Sequence, residues 1–146
     1  MGALNKDIEF RVLKARTQED DFQTSAVNLA DWDGVLFLVQ VELTAEIVTI
    51  DVQQKDDGGT FRRLKDARVT PAANNQLCWI DVYRPRAEIT EDEDPEFRLD
   101  VDMAGNNFLG AIYAIKYRGR TKPCANIVAG AAGVLGVEVI SPEIHT

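Results

Sequence analysis

Alternation of apolar and polar residues with a period of two is the feature that most constrains this chain. It is cleanest in "FRLDVDM" (97–103) and in "VTIDVQQ" (48–54), where apolar residues take every second position. A third segment, "GVLFLVQVEL" (34–43), keeps the alternation and adds leucines on the second face, which predicts a more deeply buried strand. Side chains of a strand point alternately to opposite faces, whereas a helix places its apolar residues three and four apart. The pattern therefore predicts β-strands.

At least seven such segments are separated by turn signals along the chain. The turn "KDDGGT" (55–60) predicts a hairpin, because Asp-Gly and Gly-Gly tolerate a positive φ. The segment after it, "FRRLKDARV" (61–69), is less regular and predicts a short strand and a bend. Further strands are expected in "QLCWIDVY", "GAIYAIKY", "PCANIV" and "VLGVEVI". With 146 residues, the chain is predicted to be a single all-β domain, an antiparallel β-sandwich or jelly-roll-like fold.

Charge divides the chain into unequal parts. Residues 1–16 carry a net charge of +2 while the whole chain carries −8, which leaves −10 for the remainder. We expect residues 1–16 to form an extended N-terminal arm and residues 17–146 to form the β domain. Six carboxylates and a proline fall between Glu88 and Glu96. Their spacing is not that of a calcium loop, so residues 84–96 are expected to be a solvated acidic insertion.

The charge and the short apolar runs of the chain argue against several classes of partner. Binding to nucleic acid depends on Lys and Arg that neutralise phosphates, so no nucleic-acid partner is expected. The apolar runs are too short to span a membrane, and no membrane partner is expected. The segment "MGALNKDIEF" (1–10) has no basic stretch leading into an apolar one, which predicts no signal peptide and synthesis in the cytoplasm.

Catalytic motifs are sparse. The one histidine, His145, lies beside the last residue, and no nucleophile elbow or phosphate loop is present. Asp100 and Asp102 share one face of a predicted strand, but such pairs occur on any polar sheet face. Cys78 and Cys124 can pair or remain free. We expect a protein that is not an enzyme, with no cofactor and no metal site.

Four cations recur at every second residue in "KYRGRTK" (116–122). Gly119 is a turn position, and a hairpin is predicted there between "GAIYAIKY" (110–117) and "TKPCANIV" (121–128). A basic hairpin end on an acidic protein suits docking to an acidic surface, although a solvated turn fits equally well. With the cations of the arm, the predicted interface residues are Lys6, Arg11, Lys14, Arg16, Lys116, Arg118, Arg120 and Lys122.

Three aromatic residues are predicted to share one buried core. They are Trp32, Phe37 and Trp79, which lie on or beside the most apolar predicted strands.

The segments "LADWDGVLFLVQVE", "VTIDVQQKDDGGTFRRLKDARV" and "IYAIKYRGRTKPCANIV", with a C-terminal "ISPE", resemble a group of proteins. These are small structural proteins of tailed bacteriophages, found with head genes and thought to decorate or complete the capsid. The resemblance covers roughly residues 27–142, and "DVYRPRAEITEDEDPE" (81–96) interrupts it as an insertion.

The resemblance implies a place in the virion and no catalysis. The first expectation is a capsid decoration or cement protein on the capsid exterior, which binds major capsid protein subunits of the assembled head and forms a dimer or trimer. The alternative is a head-to-tail connector or tail ring component. A carbohydrate- or partner-binding module is a further alternative from a different class.

Overall fold

The computed structural model describes residues 7–16, 20–43, 47–56, 58–71, 74–83, 96–103, 107–118 and 134–140. Within these ranges the chain forms ten strands and no helical element. In the same ranges, no helix is long and apolar enough to cross a membrane. The strands are β1 (Ile8–Lys14), β2 (Phe22–Gln23), β3 (Val27–Asn28), β4 (Gly34–Leu43), β5 (Thr49–Lys55), β6 (Phe61–Val69), β7 (Gln76–Tyr83), β8 (Glu96–Asp102), β9 (Phe108–Tyr117) and β10 (Val134–Ile140).

The strands form two sheets packed face to face. Sheet A has the order β1-β9-β4-β7-β10, and sheet B has the order β2-β8-β5-β6 with β3 also paired to β8. The predicted all-β sandwich is confirmed. One edge departs from an antiparallel arrangement, because β10 runs parallel to β7 from Val134, opposite Leu77, to Ile140, opposite Tyr83.

The core lies between the sheets, where the alternating apolar residues of both inner faces meet. The central strand β4 contributes Val35, Phe37, Val39 and Val41, which are all buried. Sheet B contributes the alternating apolar residues of β5 and β8 to the same cluster. The largest enclosed side chains of the core include Phe37, Phe97, Leu29, Ile50, Leu64, Ile80, Leu99, Leu109 and Ile112.

The predicted aromatic core is right for two residues and wrong for the third. Trp32 and Phe37 belong to the buried cluster. Trp79 is half-buried on the opposite face of sheet A, because its neighbours Cys78 and Ile80 point inward. Its ring lies directly over Gly136 of β10, where a Cβ atom would overlap it. Strand alternation thus placed Trp79 outside the core.

The hairpin between β5 and β6 is confirmed. The Asp56 carboxylate accepts hydrogen bonds from the N–H groups of Gly58 (3.0 Å) and Thr60 (2.9 Å), and Gly59 takes a φ of 85°. The expected short strand and bend after it are instead one strand, β6. Its irregular sequence corresponds to a register shift opposite β5, and Asp66 there has a φ of 58°.

The hairpin predicted at Gly119 is wrong. Strand β9 pairs with β1 along one edge and with β4 along the other. Both hydrogen-bonding edges of the first predicted arm are therefore occupied by strands other than the predicted partner. Residues 119–133 lie outside the described residues.

Part of the expected arm belongs to sheet A. Residues Ile8–Lys14 form β1, an edge strand, and Leu13 is its one residue packed against the core cluster among those described. Of the expected acidic insertion 84–96, the structure describes Glu96, the first residue of β8, which pairs with Lys55 Nζ at 2.8 Å.

Cys78 is a free thiol in the core. Burial raises its pKa to about 12, so the unreactive thiol form predominates at neutral pH. Cys124 lies outside the described residues.

Phe37→Ala is expected to lower the free energy of unfolding by about 3 to 5 kcal/mol, because the side chain is fully enclosed between the sheets. Urea unfolding measures the loss. Ile47→Ala is the control, since Ile47 is 78% exposed and its truncation should change stability little. A loss below about 1 kcal/mol for Phe37→Ala would contradict the central position of β4 in the core.

Candidate partner interface

An exposed apolar surface lies on the outer face of sheet A, at the β1 edge. We call it the β1 strip; it consists of Ile8, Phe10 and Val12 of β1 with Tyr113 and Ile115 of β9. The three β1 side chains are 47%, 59% and 57% exposed. The strip is continuous, because Phe10 is opposite Ile115, Val12 is opposite Tyr113, and the rings of Phe10 and Tyr113 are 5.1 Å apart.

At the C-terminal end of β9, aromatic and polar side chains cover the same outer face. Tyr117 extends across Gly34, where a Cβ atom would overlap its ring, and its hydroxyl donates a 2.6 Å hydrogen bond to the buried Asp81 carboxylate. The ring of Tyr83 stacks against that of Tyr117 with 6.4 Å between centroids. The absence of a side chain at Gly34 therefore allows the Tyr117 ring to lie across the sheet at this end and reach Asp81.

Two of the predicted interface cations surround Trp32. The ammonium of Lys116 is 5.0 Å from the Trp32 ring and pairs with Glu9 at 3.1 Å. The guanidinium of Arg118 is 4.0 Å from the same ring, and its Nε donates to the backbone oxygen of Asp31 at 2.8 Å. Lys116 is buried and Arg118 half-buried, so both side chains contribute to packing within the chain.

The other described cations of the predicted interface lie on or just after β1. Lys14 lies 4.5 Å from the centroid of the Phe22 ring, which belongs to sheet B, so this contact joins the two sheets. Arg16 stacks on Phe108 at 4.4 Å and pairs with Glu42. Arg11 is exposed and pairs with Glu9 at 3.3 Å. Lys6, Arg120 and Lys122 lie outside the described residues, and the interface role of the whole set stays a prediction.

Sequence reasoning missed the apolar strip. It treated residues 1–16 by their charge and overlooked the alternation in "IEFRVLK" (8–14), where Ile8, Phe10 and Val12 share one face. That signal was available. The exposure of these side chains could not be predicted, because the segment has the pattern of any half-buried strand until its place at the edge of a sheet is known.

The outer face of sheet B is polar. Asp51, Asp100 and Asp102 lie together there on β5 and β8, and Arg68 binds both oxygens of Asp51 at 2.8 and 3.0 Å. A hydrogen bond with Asp21, followed by repulsion from that carboxylate, raises the pKa of Asp102. Within the described ranges, no group of three or more His, Cys, Asp and Glu residues is arranged to hold a metal ion.

No family model and no curated protein matches the chain. Among solved structures, the chain is similar to one titled "Structure of infectious bursal disease virus Gt strain", with 14% identity and a TM-score of 0.37. The match covers 77% of this chain and 32% of that chain, so this chain spans about a third of its length. A similarity this weak assigns neither a fold relationship nor a role to this chain.

Arg118→Glu is expected to lower the free energy of unfolding by about 1 kcal/mol, because it removes a cation stacked on Trp32. Arg62→Glu is the matched control for folding, since Arg62 is exposed on β6. Thermal and urea unfolding at the same pH compare the two variants. Equal stability of both would show that the contact between Arg118 and Trp32 contributes nothing to folding.

Asp102→Asn is expected to raise the melting temperature at neutral pH. The gain in the free energy of unfolding should be less than about 1 kcal/mol, because the side chain is exposed. A raised pKa in the folded state means that Asp102 stabilises the fold at low pH and that this contribution is lost as pH rises through the raised value. The gain from Asn should therefore disappear below about pH 4. A variant that melts earlier than the wild type at neutral pH would contradict the repulsion between Asp102 and Asp21.

Proposed function

We propose that this chain is a structural protein of a virion, and specifically a decoration protein that binds the outside of an assembled head shell. Its partners are the major capsid protein subunits. The observation that carries the proposal is the β1 strip, which presents three exposed apolar side chains on one sheet face. Contiguous exposed apolar surface on a soluble domain is typical of a site that binds another protein.

The two outer faces of the sandwich differ in a way that supports binding through one side only. Sheet A presents the β1 strip, whereas the outer face of sheet B presents the carboxylates of Asp100 and Asp102 beside the buried Asp51, which pairs with Arg68. Carboxylates are costly to bury without partners, so the face of sheet B is suited to water. A protein attached to a shell needs this asymmetry, because one side contacts the coat and the other faces solvent.

The sequence adds a second line of support. The hairpin "DDGGTF" and the strand "IYAIKYRGR" resemble segments of small structural proteins of tailed bacteriophages. The net charge of −8 is compatible with a role on the exterior of the particle, where the protein does not contact packaged nucleic acid. Many symmetric copies on one shell allow modest individual contacts to hold the protein firmly.

Ile115→Glu tests this function, because it places a charge in the β1 strip away from the sheet edge. Ile47→Glu is the matched control, since Ile47 is exposed just before β5 of the other sheet. Each variant is incubated with empty shells of the major capsid protein, and the bound fraction is measured by co-sedimentation. We expect Ile115→Glu to reduce binding at least about tenfold and Ile47→Glu to bind like the wild type.

Melting temperatures of the free variants show that both are folded. Equal binding by Ile115→Glu and wild type would exclude the β1 strip as the shell contact. A wild-type chain that ignores shells and closes into rings by itself would instead support the connector or tail ring function. Raising the salt from about 0.05 to 0.5 M should slow association if the basic residues also contact the coat.

A further inference from the structure

Strand β1 is the edge of sheet A. Within the described residues it pairs with β9 on one side only, so the backbone groups along its other side face away from the sheet. Its pairing with β9 is regular from Ile8 to Val12 and shifts between Val12 and Lys14. The regular stretch is five residues long with Phe10 at its centre. An open edge of this kind is a template for another strand.

We propose that β1 pairs with β1 of a second copy of this chain, antiparallel and centred on Phe10. Phe10 of one copy then lies opposite Phe10 of the other, and Ile8 of each copy lies opposite Val12 of its partner. On the other face of the strand, Glu9 of each copy lies opposite Arg11 of the partner. The contact between the two Phe10 residues lies on the two-fold axis, and each of the other contacts occurs twice.

Charge selects this register among the symmetric alternatives. Moving the centre from Phe10 to Arg11 sets two guanidinium groups opposite each other, and moving it to Glu9 sets two carboxylates opposite each other. Parallel pairing in register likewise aligns identical charges. Like charges directly opposite in a sheet are destabilising, whereas opposite charges and apolar pairs stabilise it. The sequence "IEFRV" (8–12) is thus complementary to itself in one arrangement.

Charged residues commonly protect an edge strand from further pairing. Here the two charges have opposite signs and lie two residues apart, so they favour a strand with complementary charges, which a second copy of the same strand supplies. In the single chain Glu9 already pairs with Arg11 at 3.3 Å and with Lys116 at 3.1 Å. The second copy supplies a further guanidinium to a carboxylate that is already oriented.

Pairing in this register keeps the outer faces of both copies on the same side, because opposite residues in an antiparallel pair share a face. The two five-stranded sheets A then form one sheet of ten strands. Both β1 strips lie side by side on that sheet. The dimer does not depend on the proposed virion function, although a doubled apolar surface would serve it.

Complementary charge reversal tests the pairing with the full-length chain. Glu9→Arg and Arg11→Glu each create like charges across the proposed two-fold axis, so each variant alone should dimerise at least about tenfold more weakly than the wild type. An equimolar mixture should recover dimers, because the introduced arginine of one variant then lies opposite the introduced glutamate of the other, and the two unchanged residues also pair. Sedimentation velocity between about 1 and 100 µM measures the species present. Arg62→Glu, an exposed reversal on β6, is the matched control and should dimerise normally.

A monomeric wild type over this range would overturn the proposal, whether β1 is then covered by another part of the chain or by a coat subunit. A dimer that Arg11→Glu leaves unchanged would overturn it as well. Cross-linking decides the matter if Glu9→Arg does not fold. In a Cys124→Ser background, Phe10→Cys should form a disulfide with itself on oxidation. Val12→Cys should do so only when it is mixed with Ile8→Cys, and self-linking of Val12→Cys alone would refute the register.

Loss of the dimer and loss of shell binding are separate results. Arg11→Glu leaves the side chains of the β1 strip in place, and Ile115→Glu leaves the β1 edge in place. A wild-type dimer that does not bind shells would reject the proposed function and keep the pairing. A monomer that binds shells would do the reverse.

Discussion

The burial of two alternating apolar faces against each other is the interaction on which the whole structure depends. The central strand β4 directs Val35, Phe37 and Val39 into this layer, and all three are buried. A sheet has two faces, so a sheet with one strongly apolar face is stable only when another layer covers that face, which here is the second sheet. The short strands β2 and β3 illustrate the point, since they add little hydrogen bonding but place Phe22 and Val27 in the same core.

Cationic side chains cover aromatic rings at the edges of this core. Lys14 reaches Phe22, Arg16 covers Phe108, and Lys116 and Arg118 cover Trp32. Long cationic side chains combine an apolar stem with a charged end, so they can cover an aromatic ring at the boundary between the core and water. The cations that the sequence suggests as a docking surface thus pack against aromatic rings of their own chain.

The two outer faces of the sandwich differ in polarity, so the molecule is asymmetric. The face of sheet B carries carboxylates that bind polar neighbours, Asp51 with Arg68 and Asp100 with Gln23. The face of sheet A carries the β1 strip at one edge and the closure by Tyr117 and Asp81 near one end. The exposed apolar side chains of the β1 strip lie at the same edge of the molecule as the unpaired side of β1, where backbone groups are open to hydrogen bonding within the described residues.

The sequence by itself determined the fold class and the hairpin between β5 and β6. Alternation in residues 34–43, 48–54 and 97–103 reflects local strand geometry, and Asp56 with Gly59 forms the turn through contacts a few residues apart. Only the tertiary structure decided which strands are neighbours, because pairing depends on contacts between residues distant in the chain. It placed β9 between β1 and β4, turned Trp79 away from the core, and left Phe10 exposed at an edge. An apolar side chain in an alternating strand points to one of two faces, and whether that face is covered depends on the rest of the fold.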